Sequence, residues 1–104
     1  MRIEHAENYR GGMRSESAYA FIRCLAAILM EERERQELSK KGLSEVSGID
    51  RAALVRAERG NVNAGLAFLF DWCKGLNLEV SEAVKRAEER LAAEPPTRAA
   101  RSRG

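Results

Sequence analysis

The side chains of this sequence best equipped for chemistry are cations at close spacing: Arg51, Arg56 and Arg59, with Lys40 and Lys41 shortly upstream. Guanidinium and ammonium groups are donor-only cations, so their partners are phosphates, carboxylates and the acceptor edges of purines. Nothing comparable exists for catalysis. His5 is the only histidine, and Cys24 and Cys73 lie far apart with no neighbouring Cys or His. No glycine-rich phosphate loop, metal-ligand spacing or nucleophile-base pair can be found. The sequence therefore nominates no catalytic residue, no metal ligand and no cofactor, and is read as non-enzymatic. The two cysteines read as small apolar packing residues of a reducing compartment.

A chain of 104 residues, 44% hydrophobic and 33% charged, has room for one folded domain with a modest core. Its formal net charge of +2 excludes little, because a polyanion is bound by a local basic surface rather than by the total. No run of roughly 18 apolar residues could span a membrane. The start, MRIEHAENYR, carries charges where a secretory leader would be apolar, so a cytoplasmic protein is expected.

The elements that position these cations follow from periodicity and caps. Residues 1–14, with a Gly11-Gly12 break, read as a flexible arm; its Arg2, Arg10 and Arg14 are read as solvated before they are read as phosphate contacts. Ser15 or Ser17 caps a long first helix with Ala18, Phe21, Ile22, Leu25, Ile28 and Leu29 on one face. That helix is expected to continue through the charged run Glu31 to Glu37, mostly as solvated surface. Ser39 caps a second helix, Lys40 to Ser47, which Gly48 ends in a left-handed conformation. Asp50 caps a third, Arg51 to Arg59, closed by Gly60. A fourth, roughly Gly65 to Leu76, has Leu66, Leu69, Phe70, Cys73 and Leu76 as its inner stripe and Asn77 as a left-handed terminator. A fifth runs from Val80 to Ala93, and residues 94–104 read as a disordered basic tail. With no strand-like alternation, the class is all-α.

Between Leu38 and Gly60 these elements make a particular geometry. Leu43 and Ser44 face inward from one short helix, Gly48 turns the chain, Ile49 plugs the corner, and Leu54 and Ala57 face inward from the next. Arg51, Ala52, Val55 and Arg56 are then presented outward together. A helix so displayed can enter a major groove while its predecessor braces on the backbone.

The segment LSKKGLSEVSGIDRAALVRAERG resembles the helix-turn-helix of the phage-repressor and Cro superfamily, the XRE family. The resemblance rests on Leu38-Ser39, Leu43, Gly48-Ile49, Leu54 and Glu58-Arg59-Gly60, and extends through GLAFLFDWCKGLNLEV to cover about residues 22–91. It implies a five-helix lambda-repressor-like DNA-binding domain, here with an extended first helix, over residues 15–93. Two positions depart from the pattern. Lys40 stands where the family commonly has Gln, and Gly42 sits mid-helix, where it costs about 1 kcal/mol relative to Ala. Gly42 is read as weakening the helix, the alternative being a close backbone approach. The resemblance also implies a structural ion pair between Arg33 and Glu58, which would hold the third helix against the first.

In such a domain Arg51 and Arg56 are the candidates for base-edge contact, with Ala52 against a thymine methyl. Ser39, Lys40, Lys41, Arg59, Asn61 and Asn63 are the candidates for phosphate contact. One recognition helix reads few base pairs, so a homodimer on a palindromic double-stranded operator is expected. Phe68, Trp72, Val80, Val84, Ala87 and Leu91 are expected to supply the dimer interface, with Ala83 in the same stripe; the alternative is that the aromatics complete the core. The extended first helix from Ser15 to Phe21 offers a second contact surface.

The expected function is sequence-specific transcriptional regulation, as a repressor or controller and possibly autoregulatory, in a bacterial or phage-encoded protein. No sensor domain follows the fifth helix, so control through a small ligand is not expected. The alternative is an antitoxin-type module that neutralises a protein partner and represses its own operon. The short tail, TRAARSRG, offers little for wrapping a toxin.

Overall fold

The computed structural model describes residues 15–61 and 65–94. The predicted arm, the contact residue Asn63 and the tail beyond Glu94 lie outside the described residues. Among those described there are five α-helices and no strand: α1 (Glu16–Arg35), α2 (Lys40–Ser47), α3 (Arg51–Glu58), α4 (Leu66–Gly75) and α5 (Val80–Ala93). The caps expected from the sequence are in place. Ser15 Oγ accepts from the Ala18 amide, Ser39 Oγ from Gly42 and Asp50 from Ala53, each satisfying a first-turn donor that the helix cannot.

One core joins all five helices. Leu29, Leu43, Leu54, Cys73, Leu76 and Ala83 are fully enclosed, with Ala26, Ile49, Ala57 and Trp72 completing the cluster. Burial pushes the Cys73 thiol up to about 11, so it stays a neutral packing group. Both cysteines are free and buried.

The most extensive helix contact is between α1 and α5. The two run antiparallel, since Cys24 meets Glu94, Glu31 meets Arg90 and Glu32 meets Arg86. Ala83 and Ala87 are fully buried, and such small side chains let helices approach closely. Arg90 grips Glu31 through two nitrogens at 2.8 and 3.1 Å.

Four expectations are corrected. The first helix stops at Arg35, because Glu37 adopts φ 58° and turns the chain toward α2. The charged run is not wholly solvated: Glu32 and Arg33 are buried. Glu32 accepts from Arg35, Gln36 and Arg86, and these donors, Arg35 foremost, pull its carboxyl from the ordinary 4.5 down to about 2.

The inner stripe of α4 is rotated from the one expected. Leu66 and Phe70 point outward, 83% and 55% exposed, whereas Trp72 is 1% exposed and Phe68 is half-buried against it. The two rings meet edge to face, 5.8 Å between centroids. Trp72 is the larger payload, so the helix turns to bury it, although its Nε1 finds no acceptor. Trp72 and Ala87 are thereby consumed within one protomer and have no surface for a dimer interface. Phe68, Val80, Val84 and Leu91 are half-buried.

Candidate nucleic-acid interface

The platform for the cations is built by α2, the turn and α3. Gly48 takes φ 80°, and its amide donates to the Ser44 carbonyl, ending α2. Ser44 Oγ donates to the Ile49 carbonyl, and the Ile49 amide donates to Ser47 Oγ at 3.1 Å. The corner is thus hydrogen-bonded on both sides of the buried Ile49 side chain. Leu54 and Ala57 anchor the inner face of α3 in the core.

Beneath the platform, Arg33 of α1 holds three acceptors. Its Nε donates to Glu58 Oε2 at 2.6 Å, its Nη2 to Glu58 Oε1 at 3.0 Å and its Nη1 to the Leu38 carbonyl at 2.8 Å. Both charged side chains are almost wholly removed from water, 9% and 3% exposed. The Glu58 carboxylate raises the Arg33 pKa above its ordinary value. This fork ties the end of α3 and the α1–α2 link to one point on α1, fixing the tilt at which α3 is displayed.

The outer side of α3 shows Arg51, Ala52 and Arg56 exposed; Val55, expected beside them, is half-buried. Arg59 and Asn61 are exposed where α3 ends, and the Asn61 amide donates to the Arg56 carbonyl at 3.0 Å. At the start of α2, Lys41 is exposed and Lys40 half-buried. Ser39 is exposed, and its Oγ accepts from the Gly42 amide at 2.9 Å, which leaves its hydroxyl proton free to donate. Gly42 itself lies close to Leu38 Cδ1: an added Cβ would come within 3.0 Å of it.

The cations of this surface are unpaired, as are Arg23, Lys74 and Lys85 elsewhere among the described residues. Among the described residues, Lys40, Lys41, Arg51, Arg56 and Arg59 form no ion pair, whereas Arg33, Arg35, Arg86 and Arg90 are all matched to glutamates. The acids Glu31 and Glu32 are engaged with α5. The cations around α2 and α3 are therefore free to meet an external polyanion.

One residue escaped the sequence reading. Arg23 is exposed and its stem passes Gly60, so that a Cβ added there would stand 3.4 Å from Arg23 Cγ. It brings a cation from α1 to the end of α3, beside Arg59 and Asn61. Only the crossing of α1 over that end reveals it; nothing in the local sequence does. No cluster of His, Cys, Asp or Glu suited to a metal occurs among the described residues.

The helix-turn-helix family model matches residues 29–82, just over half of the chain. No curated protein matches it by sequence. Among solved structures it is similar to the clp gene regulator ClgR from Corynebacterium glutamicum, with TM-score 0.65 and 23% identity over 79% of this chain and 83% of that one. It is also similar to the restriction-modification controller protein C.AhdI from Aeromonas hydrophila, with TM-score 0.59 and 31% identity over 62% of this chain and 98% of that one. With its two capped short helices, its glycine turn and its displayed cationic face, the chain belongs to the helix-turn-helix family, in the phage-repressor and Cro-like (XRE) branch of DNA-binding transcriptional regulators.

Proposed function

We propose that this regulator is a sequence-specific repressor or controller that reads a palindromic operator as a homodimer and acts on its own gene. In this reading Arg51 and Arg56 fork onto guanine edges and Ala52 packs on a thymine methyl. Ser39, Lys40, Lys41, Arg59, Asn61 and Asn63 hold the phosphates, joined by Arg23 from α1. The observation that carries the reading is the exposed, unpaired cationic face of α3 on a platform braced by the Arg33–Glu58 fork. C.AhdI, matched over nearly its whole length, is a controller protein, which supports that role here and a bacterial or phage origin. No helix among the described residues is long and apolar enough to cross a membrane, consistent with action on DNA in the cytoplasm.

The test is a gel shift on DNA upstream of the protein's own gene, repeated across salt. Engagement of roughly six phosphates makes affinity fall about a thousandfold between 50 and 200 mM salt. Arg56→Ala should cost about 1–3 kcal/mol and relax discrimination at one base pair, while Lys40→Ala should weaken all sequences alike. Operator binding by both variants at wild-type strength would refute these contacts.

A further inference from the structure

Three helices meet at one corner of the domain. The stem of Arg23 lies on Gly60, just past the end of α3: a Cβ added to Gly60 would stand 3.4 Å from Arg23 Cγ and 3.9 Å from its Cα. One residue along α1, Cys24 Sγ donates to Glu94 Oε2 at 3.5 Å, where α5 has ended. The ends of α3 and α5 therefore flank the same turn of α1, no more than about 20 Å apart across that helix. Glu94 has already left the helical conformation, with φ −68° and ψ 141°, the extended backbone favoured before a proline such as Pro95.

The sequence that follows carries one sign of charge. Residues 95–104, PPTRAARSRG, contain Arg98, Arg101 and Arg103 and no acid. These three cations exceed the formal net charge of +2 of the whole chain, so everything before Pro95 is net acidic. At about 3.3 Å per residue, Arg98 can stand up to roughly 13 Å from Glu94 and Arg103 up to roughly 30 Å. That length is enough to cross the corner to the exposed Arg59 and Asn61.

We propose that Arg98, Arg101 and Arg103 form a second DNA contact, gripping phosphates of the duplex beside Arg23, Arg59 and Asn61 at this corner. The inference rests on the reading of α3 as the groove-entering helix and adds to it a grip that is independent of sequence. Guanidinium forks match phosphate oxygens in pairs, and backbone contacts hold a protein on any duplex. The nearest competing partners along the chain are Glu88 and Glu89, exposed on α5. Exposed ion pairs of that kind are weak, whereas a duplex presents a dense row of phosphates and releases counterions for each one neutralised. A net-acidic domain approaching a polyanion also gains most from cations placed at the contact itself.

The test compares wild type with a full-chain triple variant, Arg98→Ala with Arg101→Ala and Arg103→Ala, on the operator and on an unrelated duplex of equal length. Affinity is measured from about 50 to 200 mM salt, and its logarithm is plotted against that of the salt concentration. The triple variant should bind both duplexes about tenfold or more weakly at low salt, with a slope shallower by about two to three. The ratio of operator to unrelated affinity should stay at the wild-type value, because phosphates carry no sequence information. Lys85→Ala removes an exposed cation nine residues back along α5 and should leave the slope within about half a unit of wild type. Wild-type affinity and slope in the triple variant would overturn the proposal. So would a gain in affinity, which would set the arginines against Glu88 and Glu89, or a loss confined to the operator, which would mark base contacts. A wild type that binds both duplexes alike, with the triple variant weaker on each, would refute the operator contacts of α3 and leave this one standing. Binding to neither duplex would overturn both.

Discussion

Replacing Glu58 with alanine is the sharpest perturbation of the platform. The Arg33 side chain is 9% exposed and gives two of its three hydrogen bonds to the Glu58 carboxylate, at 2.6 and 3.0 Å. Glu58→Ala would leave that guanidinium buried with one hydrogen bond, to the Leu38 carbonyl at 2.8 Å, and the exposed Glu34 carboxylate 3.9 Å away. Removing one partner of such a pair costs about 3–5 kcal/mol, because the remaining charge keeps its desolvation penalty without its compensation. A domain of this size holds only about 5–10 kcal/mol in total, so the loss takes a large share of it. In thermal terms it lowers the midpoint by roughly 12 °C or more. Urea unfolding followed by the fluorescence of Trp72, the only tryptophan, measures it directly. Arg33→Met combined with Glu58→Leu removes both charges and should recover most of the stability, since the cost arises from the orphaned charge. A loss below about 1 kcal/mol for Glu58→Ala, or a double variant as unstable as the single, would refute the reasoning.

Three further outcomes follow from particular contacts. Gly75→Ala should destabilise by about 1–2 kcal/mol in urea unfolding. Its Cβ would stand 2.7 Å from Ser47 Cβ and 3.3 Å from Ser47 Cα, and backbone cannot yield as a side-chain tip can, so overpacking outweighs the helix-propensity gain. Equal or greater stability would contradict that packing. Glu37→Gly should stabilise by about 0.5–1 kcal/mol, because Glu37 holds φ 58° in the left-handed region where a Cβ is penalised; a lower urea midpoint would show that the Glu37 side chain matters more than its backbone. The third concerns acid. The Glu32 carboxyl is depressed to about 2 in the folded chain, so its contribution is complete above the ordinary 4.5 and is lost as pH falls through about 2. With the Arg35 side chain 71% and that of Arg86 40% exposed, solvent screening reduces that contribution to about 1–2 kcal/mol. The wild-type excess over Glu32→Gln, measured by urea unfolding between pH 6 and 2, should shrink by that amount; a constant difference would contradict the account.

The local parts of this molecule were legible in its sequence. Ser15, Ser39 and Asp50 mark helix starts because their oxygens accept first-turn amides, and Gly48 marks a stop because only a residue free of Cβ enters φ 80° without strain. The exposed cationic face of α3 was legible for the same reason: Arg51, Ala52 and Arg56 lie on one side of a short capped helix. What the sequence did not settle is which of two apolar stripes a helix buries. On α4, Leu66 and Phe70 compete with Phe68 and Trp72 at the same spacing, and the outcome depends on the space left by Leu43, Leu29 and Ala83. Glu32 has Arg35 and Gln36 as partners in the local sequence, but its burial and its contact with Arg86 come only with tertiary packing. Arg23 acquired its place next to Gly60 only through the crossing of α1 and α3. Each of these is a tertiary fact with no short-range trace.

In the proposed complex α3 enters a major groove with Arg51 and Arg56 on guanine edges. Dimethyl sulfate methylates guanine N7 on the floor of that groove, so protection of operator guanines by bound protein reports the contact atom by atom. Wild-type protein should shield N7 at discrete guanines in each half-site, with Arg51→Ala and Arg56→Ala each exposing a different one while the remainder of the footprint persists. Guanines that stay fully reactive beneath the bound protein, or protection unchanged in both variants, would contradict the account.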